Sequence, residues 1–133
     1  MSIVVGYLDS PEGREALRAA TAEAQSRSTD LVVVVSERTS RLGADEISAR
    51  DAALGVVRGE LTAAGVPFQV SIQGETGDPA DDLVSVATEL DAQMIVIGLR
   101  RRSPVGKLIL GSNAQRILLD APCPVLAVKP ERA

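Results

Sequence analysis

An open, doubly wound α/β domain is the fold that the sequence predicts, on three observations. Short apolar runs alternate along the whole chain with longer segments of helical spacing. The runs themselves, above all Leu31-Val32-Val33-Val34-Val35, are apolar without interruption, as strands buried on both faces of a parallel sheet are. Gly, Pro, Asp and Ser punctuate nearly every junction between them. A length of 133 residues, 45% of them hydrophobic, suits one domain with a substantial core, and no linker, repeat or low-complexity tract divides it.

The first strand is read in Ile3-Val4-Val5-Gly6-Tyr7-Leu8, closing on Asp9. Ser10 can cap a helix and Pro11 can take its first position, and Ala16, Leu17, Ala20 and Ala24 give that helix a small inward face suited to close packing. Leu31 to Val35 is short and almost wholly β-branched, the least ambiguous strand of the chain. A polar, irregular loop follows from Ser36 to Ala44. From about Asp45, the spacing of Ile47, Leu54, Val57 and Leu61 predicts a second helix, although Gly55 and Gly59 each cost about 1 kcal/mol relative to Ala.

Gly65 is placed to end that helix, and Val66 to Ile72 alternates as a half-buried strand, which Pro67 directs to a sheet edge. Asp78 and Pro79 read as cap and first residue of a third helix, burying Leu83, Val84, Ala87 and Leu90. Met94 to Ile97 is the fourth strand. Ser112 opens a last helical pattern through Ala114, Ile117 and Leu118, with Gln115 completing a capping box, and Val125 to Val128 is the fifth strand. Together these predict a single Rossmann-like layer of five parallel strands joined by right-handed crossovers, with helices on both faces.

Composition narrows the function. Fourteen basic against eighteen acidic residues give a net charge of -4, a poor match for nucleic acid or an anionic membrane. Tyr7 and Phe68 are the sole aromatics, so no stacking platform for single strands exists. The absence of histidine excludes Ser-His-Asp and Cys-His catalysis and imidazole-based zinc sites. One cysteine, Cys123, permits no internal disulfide and reads as a buried small residue. With a strand pattern beginning at Ile3 and no membrane-length apolar run, a soluble cytoplasmic protein is expected.

The chain is organised around Gly98 to Ser112, where a strand ends at one glycine and a helix begins beside another. Free backbone N–H groups and the positive end of a helix dipole converge in such a segment, which predicts a phosphate cradle for a nucleotide. In an open sheet of order 3-2-1-4-5 the ligand crevice lies between strands one and four, so that Asp9 and Gly98 meet there. Gly106-Lys107 is not a Walker motif, because Arg101 replaces the leading glycine and Leu108 the Ser or Thr. Glu75, Asp78, Asp81 and Asp82 are read as dipole partners of a first helical turn rather than as a cation site.

These residues also carry a resemblance. A first strand closing on Asp-Ser-Pro, a fourth strand Met-Ile-Val-Ile-Gly, a long loop to Gly-Ser and a final Cys-Pro-Val-Leu strand resemble a universal stress protein domain, over residues 1–133. In that family's nucleotide-binding branch the loop reads G-x2-G-x9-G-[S/T], which Gly98, Gly111 and Ser112 match, whereas Arg101 stands at the second glycine. The resemblance implies the strand order 3-2-1-4-5 and ATP binding, with or without Mg2+, in a stress-response or regulatory module that lacks a dedicated catalytic apparatus. It implies Asp9 and Val35 on the adenosine side, and Gly98, Gly111, Ser112 and Asn113 around the phosphates.

Arg101 leaves two readings open. If its position requires positive φ or close approach to phosphate, a side chain there opposes binding, and the chain acts as a dimeric interaction or scaffold module. If only its N–H is needed, Arg100-Arg101-Arg102 adds charge that pairs with phosphate. An ATPase or adenylyl-transfer enzyme is a further alternative, against which stands the lack of a general base other than Asp9. The resemblance implies dimerisation through the last strand. Val125, Leu126, Ala127 and Val128 form an apolar edge, guarded by Pro124, Lys129 and Pro130 alone, which predicts a homodimer.

Overall fold

The structure, a computed structural model, describes residues 1–8, 10–36, 43–74, 78–100 and 110–130. Five strands alternate with four helices: β1 (Ile3–Gly6), α1 (Pro11–Arg27), β2 (Leu31–Ser36), α2 (Ala44–Ala63), β3 (Phe68–Gln73), α3 (Pro79–Glu89), β4 (Met94–Gly98), α4 (Ser112–Asp120) and β5 (Val125–Val128). The strands form one parallel sheet in the order β3-β2-β1-β4-β5, as expected. In register, Val4 stands between Val32 of β2 and Ile95 of β4.

Because side chains alternate across a strand, the central runs supply two cores. Ile3, Val5, Leu31, Val33, Val35 and Val96 face α1 and α2, packed with Ala16, Leu17, Ala20, Leu54, Val57 and Leu61. Val4, Val32, Val34, Ile95 and Ile97 face α3 and α4, packed with Leu83, Val86, Ala87 and Ile117. Each buried Val, Leu or Ile contributes about 1.5–3 kcal/mol relative to exposure. The residues that made β2 an apolar run therefore serve both sides of the sheet. The small face of α1 is fully inside, as its alanines predict.

The helix starts follow their sequence signals. Ser10 Oγ accepts a hydrogen bond from the Gly13 N–H at 3.1 Å, with Pro11 as the first helical residue of α1. Asp78 Oδ1 accepts from the N–H groups of Ala80 at 2.9 Å and Asp81 at 3.4 Å, with Pro79 opening α3. Gly65 has φ +72, the left-handed conformation that ends α2 cheaply only with glycine.

Other expectations are corrected. The helix α4 has Gly111, not Ser112, at its N-cap, so the capping box of Ser112 with Gln115 does not form. Ser112 is already helical, and Gln115 Nε2 donates instead to the Leu110 carbonyl at 3.2 Å. Ile47 is 38% exposed, within the run from Gly43 to Ala49 in which every residue is exposed. Leu90 and Leu118 are exposed as well, Leu90 because it already stands past the last turn of α3, as its C-cap. The strand β3 begins at Phe68 rather than Val66, since Val66 closes the turn after α2 by donating to the Leu61 carbonyl. Cys123 is half-buried, packed at the margin of the α3–α4 core.

Candidate nucleotide cleft

The winding of the sheet reverses at β1, which has α1 and α2 on one face and α3 and α4 on the other. At the carboxyl ends of β1, β2 and β4 lies a cleft of about 180 Å³. Its floor is Gly6, Tyr7 and Leu8 after β1, Val34 and Ser36 of β2, and Ile97 and Gly98 of β4. Pro79 and Leu83 of α3 form one wall, and Asn113, Ala114 and Ile117 of α4 form the other. Two helix N-termini thus flank a depression at the switch point; the first-turn N–H groups of α3 are taken by Asp78, whereas α4, with Gly111 at its N-cap and no side-chain cap, presents N–H groups and a positive dipole end that favour an anion.

Gly98 is fixed here by close approach. A β-carbon at Gly98 would lie 2.2 Å from the Glu12 carbonyl oxygen, in the first turn of α1. Gly98 therefore lets β4 end directly beneath the start of α1, whatever else it does. Arg100 follows on the same side, its Nε 3.6 Å from Glu12 Oε1. Gly111 takes an extended conformation, φ -73 and ψ 168, and its carbonyl accepts from the Gln115 N–H at 3.0 Å. The N-cap of α4 has no side chain of its own to satisfy the first-turn donors.

Of the residues expected at the site, Gly98 and Asn113 line the cleft, and Gly111 and Ser112 begin the helix that forms its wall. Val35 is buried in the core facing α1 and α2, and the β2 residues that line the cleft are Val34 and Ser36. The reason is strand alternation: Val34 and Ser36 point to the α3–α4 face, Val35 to the other. Asp9 and Arg101 lie outside the described residues, as does Glu75.

Arg116 had no signal in the sequence. From α4 it reaches across to α3 and pairs with Asp78 Oδ2 and Asp81 Oδ1. Burial pushes the Asp78 carboxyl up, but the hydrogen bond from Arg116, the Ala80 and Asp81 N–H groups and the Arg116 charge outweigh it and hold it below the usual carboxylate range. The same pairing raises the Arg116 guanidinium. The acidic first turn of α3 is thus occupied by a cation from the chain itself. Among the described residues no group of three or more His, Cys, Asp or Glu side chains is arranged to hold a metal ion.

A larger cavity, about 640 Å³, opens between α1 and α2, lined by residues such as Arg14, Arg18, Thr21, Ala53 and Val56. It lies along the flanks of the two helices, from Arg14 and Tyr7 at one end to Gln25, with small apolar residues such as Ala53 and Val56 and the acidic Glu60 on the α2 side. Volume favours that cavity, which also presents Arg14 and Arg18, whereas the smaller cleft presents the backbone N–H groups of an uncapped helix start.

The model of the universal stress protein family matches residues 1–129. The chain belongs to the universal stress protein family. A universal stress protein of Mycolicibacterium smegmatis is 44% identical over 131 residues, covering 96% of this chain and 97% of that protein. Among solved structures, a universal stress protein from Archaeoglobus fulgidus superposes with a TM-score of 0.83 at 35% identity, covering 97% of this chain and 98% of that one. Another structure of the universal stress protein from Archaeoglobus fulgidus, in complex with dAMP, superposes with a TM-score of 0.79 at 30% identity over 97% and 98% of the two chains. Among the described residues of this universal stress protein no helix is long and apolar enough to cross a membrane.

Proposed function

We propose that this universal stress protein binds an adenine nucleotide, ATP with or without Mg2+, in the cleft at the ends of β1, β2 and β4. The observation that carries the reading is the uncapped N-terminus of α4 over the end of β4 at the switch point of the sheet. The adenosine half lies toward β1 and β2, against Tyr7, Leu8, Val34 and Ser36, with Asp9 following Leu8 in the chain. The phosphates lie toward β4 and α4, met by N–H groups of Gly111, Ser112 and Asn113 and approached by Gly98. The relative with dAMP bound supports an adenine nucleotide as the ligand class. The chain works in the cytoplasm as a regulatory module whose occupied and empty states are read by protein partners. It pairs as a homodimer through β5, the sheet edge formed by Val125, Leu126, Ala127 and Val128.

A second reading rests on Arg101, which stands where the family motif has glycine. In that reading the domain has lost nucleotide affinity and serves as a dimeric scaffold. Calorimetric titration of nucleotide-free protein with ATP and Mg2+ separates the two. One saturable site per chain, lost in folded Asp9→Ala and Ser112→Ala variants, is the expected result. No heat up to millimolar ATP, together with gain of binding in Arg101→Gly, selects the scaffold reading.

A further inference from the structure

We propose that Arg116 is a positioning residue for the phosphate end of the cleft, an inference that rests on the nucleotide reading above. The two walls of the cleft belong to different helices, and covalent structure alone does not set the distance between them. Pro79 and Leu83 stand on α3, and Asn113, Ala114 and Ile117 on α4. Arg116 lies between Gln115 and Ile117 on α4, and its guanidinium bonds two carboxylates of the α3 start, Asp78 Oδ2 and Asp81 Oδ1. A planar guanidinium held at two points fixes direction as well as distance, which an ammonium cannot do.

Asp78 makes the tie specific to the cleft. Its Oδ1 accepts from the N–H groups of Ala80 and Asp81, and its Oδ2 takes Arg116. The same carboxylate thus caps the start of α3 and fastens α4 to it, so the two N-termini are set relative to one another by one group. Loosening the tie lets the first turn of α4, Ser112 and Asn113, move away from the place where phosphate oxygens must sit. Hydrogen bonds from a preset donor array are sensitive to such displacement, whereas contacts of the nucleoside with β1 and β2 are not. All three paired side chains are partly exposed, between 31% and 47%, so the pairing itself adds little to global stability.

The test is calorimetric titration of the full chain with adenosine and with ATP and Mg2+, on wild type, Arg116→Gln, Arg116→Lys and Asp81→Asn. The expected result is ATP binding weakened roughly fivefold to tenfold in Arg116→Gln and Asp81→Asn, adenosine binding within about twofold of wild type, and Arg116→Lys in between. Asp81→Asn is the decisive variant. It removes a negative charge near the phosphates, so tighter ATP binding would mean that Arg116 acts as a direct phosphate ligand held back by Asp81, and would overturn the positioning role. Equal losses for adenosine and ATP, or no change in either variant, would also overturn it and leave the nucleotide site standing. Wild type that binds neither ligand would overturn the site and this role together.

Discussion

Gly98 illustrates how a residue singled out for ligand binding is also demanded by packing. With the Glu12 carbonyl oxygen 2.2 Å from the place of a β-carbon, Gly98→Ala must displace the first turn of α1 from β4. A loss of about 1–3 kcal/mol in urea unfolding is expected, with or without nucleotide. Cys123 makes the opposite case, a residue whose reactivity is suppressed. Burial and then the charge of Asp91 push its thiol up, so thiolate is scarcer than in a free cysteine. Alkylation by iodoacetamide at pH 8 should therefore be slower than that of an unstructured peptide thiol, and should rise with pH along a curve displaced upward. At this scale the sequence was legible where chemistry is local, as in Ser10 and Asp78 capping the helices that follow them. It was not legible at Arg116, whose partner Asp78 is 38 residues away and is chosen by the packing of two helices.

Among the elements, α3 and α4 form the walls of the proposed nucleotide cleft. Asp78 is the hinge of that arrangement, and its acidity gives a pH test. Its carboxyl in the folded chain titrates below its unfolded value, so its contribution to stability is present above the unfolded pKa, about 3.9, and is lost as pH falls through the lower folded value. Urea midpoints measured from pH 7 to pH 2 should fall less steeply at the acid end for Asp78→Asn than for wild type. Equal acid limbs would mean that Arg116 and the α3 N–H groups do not favour the charged form. Periodicity located all four helices, but the buried face of α2 extends less far than its pattern suggests. Ile47 keeps the spacing of Leu54 and Val57, yet it stands in the exposed first turns of the helix. The start of α4 was misjudged by one residue for a related reason: a serine before an apolar pattern reads as a cap, while the glycine ahead of it holds the cap position.

For the whole molecule, short apolar runs flanked by helices made the parallel sheet legible, while its strand order came from the family resemblance; the sheet β3-β2-β1-β4-β5 then brings the ends of β1, β2 and β4 to one place. The same order leaves β5 at an edge, with Ala127 exposed and its neighbours half-buried. Sedimentation at tens of micromolar should give a dimer, and Ala127→Lys should give a monomer of unchanged circular dichroism, since a charge at an edge opposes strand pairing. A wild-type monomer at that concentration would contradict the edge as an interface. On the proposed reading, the nucleotide occupies the small cleft at the switch point and not the larger cavity between α1 and α2. Amide chemical shifts recorded during titration with ATP test it most directly. Saturable shifts are expected at Gly6, Leu8, Gly98, Ser112 and Asn113, with Arg18, Thr21 and Ala53 unmoved. Shifts confined to the α1–α2 residues, or none at millimolar ATP, would contradict it.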